Sequence, residues 1–508
     1  MRRSADPACV ACRAQPTTRT GHTLNTRRQF IQGTVAPLAL SALGPALAAH
    51  AFDSALKPAP TGPGLLVSQR PPVAQRKFVS AAVEQTIVAA KARIADPETA
   101  WLFENCFPNT LDTTVTTRVV EGRPDTYVIT GDIDAMWLRD SAAQVWPYLP
   151  LMKQDAALQS MIAGVVNRQA RCVLLDPYAN AFYDNPDKVS YHKDDLPKMK
   201  PGVHERKWEV DSLCYVIRLA HGYWKQGGDV TCFDAQWLEA MKLIVATFRN
   251  QQRKTGDGDY KFKHKTMWPS DTAAGSGTGH PVAPVGLIAS VFRPSDDGTV
   301  FPFLIPSNYF AANSLRQLGA MVRALYRDPA FPADCLSLAA EVERALQKHA
   351  VIEHKTHGRI LAYEVDGYGS HYLIDDSNVP SLISMAYPGA IGVNDPLYRS
   401  TRKFLFNAAN QPYYVKGRAA EGTSGPHAGR DMIWPMGIII RAMTTNDDAE
   451  IKRCLKMLAA THAGTGFMHE AFHKDDPAKF TRKWFAWANT LYGEMILRLL
   501  ESKPHLLG

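Results

Sequence analysis

Two adjacent carboxylates stand between a proline and a glycine in the stretch Arg293-Pro-Ser-Asp-Asp-Gly-Thr-Val-Phe-Pro-Phe-Leu-Ile-Pro-Ser-Asn308. Pro and Gly make this part of the chain a turn, so Asp296 and Asp297 belong to neither a helix nor a strand interior. Phe301, Phe303, Leu304 and Ile305 follow at once and put the acids at the lip of an apolar wall. Apolar surroundings disfavour the charged form of a carboxyl and raise its pKa. That is the property a general acid needs. Taken alone, Asp-Asp-Gly is a solvated turn, because turns select these residues. A chemical reading needs a second acid and a surface that binds a ligand.

A second acid stands near the end of the chain. Glu470 lies between Met468 and Phe472 with His469 beside it, and acids in apolar settings are seldom left unpaired. Trp484 and Trp487 follow, three apart on one face of a helix, where they are core aromatics or a ring platform. The candidate ligand surface lies in four further loops. Thr130–Ser141 sets Asp132, Asp134, Arg139 and Asp140 around Trp137. An aromatic face beside a charged, planar Arg/Asp pair suits a sugar, although acids at a helix start also cap it. Asp211, in His204–Tyr215, caps the following helix or lines the cleft, and its place at the helix start favours the cap. Asp366, Asp375, Asp376 and Asn378 share a glycine-hinged loop with oxygen ligands but no EF-hand spacing. His427 and Trp434 lie in Glu421–Pro435, where glycines let the backbone approach a ligand closely.

The elements that must position these loops are helical. From Lys77 the chain shows amphipathic runs at about 99–110, 137–151, 154–174, 207–226, 233–252, 306–327, 332–350, 377–387, 395–408, 431–443, 447–461 and 482–501. Alternation is short, at Thr126–Thr130 and Arg359–Glu364, and predicts small hairpins between helices. A dozen helices without an interior linker predict one all-α domain over residues 76–508. Its expected form is an (α/α)6 barrel, a six-hairpin toroid with short β-hairpins in the loops.

Composition narrows the function. The chain has 508 residues, 45% hydrophobic and 21% charged, the balance of a globular protein. Of its net charge of +8, residues 1–48 contribute +5, so the basic excess belongs to the leader and points to no nucleic-acid partner. Thr26-Arg27-Arg28-Gln29-Phe30-Ile31, the apolar run Val35–Leu47 and the small residues Ala46-Leu47-Ala48 read as a twin-arginine export signal over residues 1–48. The expected location is the periplasm or outside the cell, with no membrane association after signal removal. Residues 49–75 read as a Pro- and Gly-rich linker. Cys9 and Cys12 have no second pair to make a zinc site. The six later cysteines, often among apolar neighbours, read as buried free thiols, with a disulfide of undetermined pairing the alternative in an oxidising compartment.

The loops Thr130–Tyr148, Arg293–Asn313, Gly422–Pro435 and Phe467–Asn489 resemble glycoside hydrolase family 125, the exo-α-1,6-mannosidases, from about Lys77 to the last helix. The resemblance implies an (α/α)6 barrel, inversion at the anomeric carbon, no required metal and release of terminal α-1,6-linked mannose from an oligosaccharide or glycan. It places the general acid at Asp297, in the Arg-Pro-Ser-Asp-Asp motif, and the general base at Glu470, in the Met-His-Glu motif. Asp132, Asp134, Trp137, Arg139, Asp140, Asp296, Asn308, His427, Trp434 and His469 are the expected substrate-binding residues. Arg139 and His427 would fix hydroxyls, while Asp134 and Asp140 would stabilise a developing cation. Inverting hydrolysis needs its two carboxyls roughly 6.5–9.5 Å apart, with water between one of them and the sugar. Asp297 and Glu470 are 173 residues apart in sequence, so only the fold can join them. The rival readings are another inverting (α/α)6 glycosidase, glucoamylase- or trehalase-like, and a non-catalytic periplasmic glycan-binding protein.

Overall fold

The computed structural model describes residues 66–508. The export-signal reading and residues 49–65 of the linker reading fall outside them. Thirteen α-helices follow in these described residues: α1 Ala81–Lys91, α2 Pro97–Cys106, α3 Asn109–Thr113, α4 Leu138–Val145, α5 Ala156–Leu175, α6 Val210–Gly227, α7 Ala235–Gln251, α8 Ile305–Leu325, α9 Ala330–His349, α10 Pro396–Leu405, α11 Pro435–Met443, α12 Asp448–Thr461 and α13 Ala486–Ser502. They form the expected (α/α)6 toroid. In the inner ring α13 packs on α4, α4 on α6, α6 on α8, and α11 on α13. In the outer shell α5 packs on α7, α7 on α9, and α12 on α2.

Burial and capping separate the two shells. Every residue of α4 is buried, as is every residue from Val210 to Ala220 and from Ala486 to Ile496. A helix that is apolar or packed all round belongs in an interior. The outer α9 buries Phe331, Cys335, Leu338, Ala339, Val342, Ala345 and Leu346, one stripe at helical spacing. The outer helices α2, α5, α7, α10 and α12 start at an aspartate whose carboxylate accepts from first-turn N–H groups: Asp96, Asp155, Asp234, Asp395 and Asp447. The inner helices α4, α6, α8, α11 and α13 start with no side-chain cap. Short strand segments enter α4, α8 and α11 directly: Met136–Trp137, Phe303–Leu304 and Met432–Ile433.

Three helical expectations need correction. Residues 377–387 hold no helix: they turn repeatedly. Pro380 and Pro388 interrupt the backbone, and the Asp375 carboxylate instead binds the N–H groups of Leu382 and Ile383. This segment still fills the sixth inner position. Tyr215 of α6 donates to Val379 O at 3.0 Å, Asn313 of α8 donates to Pro388 O at 2.8 Å, and Tyr387 donates to Glu494 of α13 at 2.7 Å. The run at 99–110 breaks at Pro108 into α2 and α3. The run at 137–151 tightens to a 3-10 helix, Trp146–Gln154, that carries Pro147 and Pro150.

Hairpins pair Val115–Val120 with Arg123–Val128 and Val351–His354 with Gly358–Leu361. Residues 66–75 lie on the helices: Trp101 Nε1 donates to Val67 O at 2.7 Å, and Arg70 binds both Glu84 and Asp112. Cys106, Cys172, Cys214, Cys232, Cys335 and Cys454 are free and buried. No helix among the described residues is long and apolar enough to cross a membrane.

The ring closes tightly at α13. A Cβ added at Gly493 would lie 2.7 Å from the Cα of Phe107. Gly493→Ala should therefore push α13 off the 107 segment and destabilise the protein by about 1–3 kcal/mol, read by thermal unfolding.

Candidate active site

The uncapped starts of the inner helices converge, and the side chains they carry meet. Arg139, in the first turn of α4, is 4% exposed and stands among four carboxylates. Its Nη1 donates to Asp140 and its Nη2 donates to Asp296 Oδ1 at 3.0 Å. Glu209 Oε2 lies 3.3 Å from Nη2, and Asp211 Oδ2 lies 3.3 Å from Nε. One guanidinium cannot neutralise four acids, and burial disfavours whatever charge is left over. Burial accordingly pushes Glu209 well above its ordinary range against the pull of Arg139. It lifts Asp211 to about 7 against the same pull. It raises Asp140 too. The cluster holds protons as well as position.

Asp296 and Asp297 turn apart. The loop closes through a bridge between Phe292 and Gly298, and the Arg293 N–H donates to Asp297 O at 2.7 Å. Asp296 takes φ 68°, a left-handed conformation that costs a non-glycine residue about 1–3 kcal/mol. Its carboxylate faces Arg139, with Asn180 Nδ2 at 3.4 Å. Asp297, 3% exposed, faces the other way. Its Oδ1 lies 3.8 Å from His427 Nδ1. Its Oδ2 is buried with no hydrogen-bond partner among the described residues. Two contacts pin the loop: Arg293 Nε donates to Glu364 Oε1 at 2.6 Å, and Ser295 Oγ donates to Asp376 Oδ2 at 2.6 Å.

Glu470 arrives from the last hairpin. It precedes the strand Ala471–His473, which pairs with Met432–Ile433 on one side and with Asp476–Thr481 on the other. Thr481 Oγ1 donates to Glu470 Oε2 at 2.9 Å, and Arg482 Nη1 donates to Oε1 at 3.4 Å. Arg482 also donates to Asp132 at 2.6 and 2.8 Å. Like Asp296, Arg482 is strained, at φ 40°.

His427 joins the two sides. Burial opposes its charge, but Asp297 foremost, then Glu470 and Asp296, hold its imidazole up to about 9. Asp297, from the 292–298 loop, is the ion-pair partner of this imidazole. Its side chain is 36% exposed, which puts it at the solvent side. From it runs an aromatic row, His427–Trp434–Phe485–Trp487, with ring centroids 6.1, 6.3 and 6.4 Å apart. Arg139 lies 5.8 Å from the Trp487 ring and Arg482 lies 4.8 Å from the Phe485 ring. Aromatic faces bordered by carboxylates and guanidinium groups can hold a sugar, and paired carboxyls can move its protons.

The structure brings together Asp132, Arg139, Asp140, Asp296, Asp297, His427, Trp434 and Glu470. It places the other expected residues differently. Asp134 points outward to a salt bridge with Lys188 at 2.5 Å and lines a separate cavity of about 320 Å³ with Tyr127 and Asp184. Asn308 has no polar atom left for a sugar: it accepts from Ile288 N and donates to Ile288 O and Leu304 O, so it splices α8 to the 288 segment. His469 is 1% exposed, stacked on Phe480 at 3.7 Å, with Nε2 bound to Thr465. Trp137 packs in a small cluster with Ala135, Ala181 and Tyr183, edge-on to His204. Asp211 is no cap either: neither carboxylate oxygen has a hydrogen-bond partner among the described residues, and its salt-bridge partner is Arg139.

Glu209 and Arg482 were missing from the expected set. Each stood inside a stretch already singled out, but nothing in the local pattern said which way it would face.

The comparisons with known proteins come down on one family. A family model described as metal-independent α-mannosidase, glycoside hydrolase family 125, matches residues 96–497. The meiotically up-regulated gene 157 protein of Schizosaccharomyces pombe is 42% identical over 467 residues, covering 88% of this chain and 91% of that protein. A Streptococcus pneumoniae metal-independent α-mannosidase, solved in a non-productive complex with α-1,6-mannobiose, superposes with a TM-score of 0.80. It is 38% identical, over 84% of this chain and 100% of that one. A bacterial glucoamylase bound to acarbose shares the fold, with a TM-score of 0.50 and 10% identity, over 81% of this chain and 57% of that one.

The His427 geometry sets a pH limit. The imidazole keeps its charge until the pH passes about 9. Then kcat/KM should fall with the loss of one proton. His427→Gln should abolish that alkaline limb and lower kcat/KM at neutral pH by roughly 10–100-fold, the worth of a hydrogen bond to a charged group. Paired pH–rate profiles check both.

Proposed function

Because the chain belongs to the metal-independent α-mannosidases of glycoside hydrolase family 125, we propose that it is an exo-acting, inverting enzyme releasing non-reducing terminal α-1,6-linked mannose, with Asp297 as general acid and Glu470 as general base. One observation carries the role assignment. Asp297 Oδ1 lies 3.8 Å from His427 Nδ1 and its Oδ2 has no hydrogen-bond partner among the described residues, while Glu470, on the last hairpin, is held by Thr481 and Arg482. The α-1,6-mannobiose held by the Streptococcus pneumoniae relative supports the linkage.

In this reading Asp297 gives its carboxyl proton to the glycosidic oxygen as the bond to the anomeric carbon breaks, and His427 Nδ1, 3.8 Å away, re-supplies that proton. His427, charged up to about 9, is the proton reserve beside Asp297. Water attacks from the opposite face and gives its proton to Glu470, whose two oxygens are aimed by Thr481 and Arg482. The transition state has cationic character, and the acids around Arg139 supply the opposing charge. Residues Arg27 and Arg28 of the leader add the proposal that the enzyme works after export, in the periplasm or outside the cell.

Asp296 is the second candidate for the acid, because it faces Glu209, whose carboxyl burial pushes up, and Asp211, lifted to about 7. Leaving-group dependence separates the two. A mutant lacking its acid still cleaves a mannoside whose aglycone leaves without protonation. Asp297→Asn should cut kcat on α-1,6-mannobiose by about 100-fold or more while largely sparing dinitrophenyl α-mannoside. That profile in Asp296→Asn instead would move the acid to Asp296. Glu470→Gln should lose both substrates.

The first product seen by NMR should be β-mannose. Early α-mannose would mean retention and overturn the inverting assignment.

A further inference from the structure

A second cluster stands beside the site, across Asn180, and the reaction has no use for it. His192 and Asp195 lie in the long loop before α6, and His264 lies in the loop after α7. Leu196 and Lys263, their chain neighbours, exchange backbone hydrogen bonds of 2.8 and 2.9 Å, which hold the two loops in register. We infer that His192, Asp195 and His264 bind a divalent transition-metal ion, best matched by zinc, that clamps these two loops and steadies the Glu205 side of the active site.

The donor set has the right spacing. One ligand atom from each of the three residues lies within 4.8 Å of the others. His192 Nδ1 and Asp195 Oδ2 are 3.5 Å apart, close to the edge of a tetrahedron with bonds of about 2.0 Å. Both atoms are buried and have no hydrogen-bond partner among the described residues, and Asp195 is only 2% exposed. A metal ion between them would satisfy both. His264 Nδ1 is bound to Asp195 Oδ1, so the ion would take the place of that shared proton and release it.

The surroundings fit as well. A metal-ligating histidine usually gives its other ring nitrogen to a carboxylate, which fixes the tautomer and orients the ring. His192 Nε2 lies 3.3 Å from Glu205 Oε1, and His264 Nε2 lies 3.6 Å from Asp271 Oδ2. Lys207 Nζ holds both of those carboxylates, at 3.1 and 2.7 Å. Three acids, Asp195, Glu205 and Asp271, thus face one lysine and two imidazoles that are neutral when they ligate. A dication balances the remaining two negative charges. Three protein ligands leave one tetrahedral position for water, and the mixed nitrogen–oxygen set favours zinc over magnesium or calcium.

The ion would lie outside the chemistry. Its route to the site is mechanical: Asn180 Nδ2 donates to Glu205 Oε2 at 2.8 Å and lies 3.4 Å from Asp296 Oδ1. Turnover should therefore survive metal removal, as the family description leads one to expect, while stability should not.

The full chain, stripped with a chelator, should be dialysed against zinc and then against cobalt and assayed by elemental analysis, thermal unfolding and visible absorption. We expect one ion per chain, a higher Tm and the absorption of tetrahedral cobalt. Asp195→Asn and His264→Gln should lose all three responses, with magnesium giving none in the wild type. Stripped wild-type protein that takes up no zinc, or single variants that bind it as well as wild type, would overturn the site and leave a hydrogen-bonded His–Asp–His cluster. If the variants do not fold, uptake by the wild type decides alone. Uptake is read without turnover, so its failure is distinct from failure of the mannosidase reading.

Discussion

The structure turns on one buried cation. Arg139 is the common partner of Asp140, Glu209, Asp211 and Asp296, which come from α4, the start of α6 and the 292–298 loop. A buried ion pair that loses one member leaves an uncompensated charge in a poor solvent, at a cost of about 3–5 kcal/mol. These three parts of the chain are therefore held in mutual register. The excess of acid over base does not discharge into solvent; it is met by raised proton affinity at Glu209 and Asp211. A site that must stabilise a cation and trade protons has reason to keep such an imbalance.

Helix polarity supports the same arrangement. The outer helices α2, α5, α7, α10 and α12 finish their first-turn N–H groups with aspartate caps, whereas the residues that start the inner helices supply no side-chain cap. A helix start carries partial positive charge. Gathering such starts at one end makes a place where carboxylates are welcome. Strain gathers there too. Asp296 and Arg482 hold left-handed backbones, and each is fixed by ion pairs rather than by local preference.

Much of this was legible in the residues. Helical spacing gave the toroid because inner and outer helices both repeat near 3.6, and the loops were marked by acids and aromatics that no connector needs. It failed at 377–387, where apolar spacing was intact but the prolines and the Asp375 carboxylate claimed the backbone. Among the side chains, Asn308 and His469 stood in motifs beside reactive acids. The fold spends one on the backbone of residues 288 and 304, and the other on Thr465 and Phe480. Asp134 sits two residues from Asp132, yet the bend between them sends one to Arg482 and the other to Lys188.

The sequence by itself determined the family, the helical class and the two stretches that carry the proposed acid and base, because these depend on residue type and short-range spacing. Only the tertiary structure decided which acids face each other. Asp296 and Asp297 are neighbours with the same chemistry, and a single positive φ sends one to Arg139 and the other to His427. Glu470 meets them through strand pairing with the segment that follows His427. Charge balance, burial and proton affinity are properties of neighbours in space, and a linear string contains none of them until it folds.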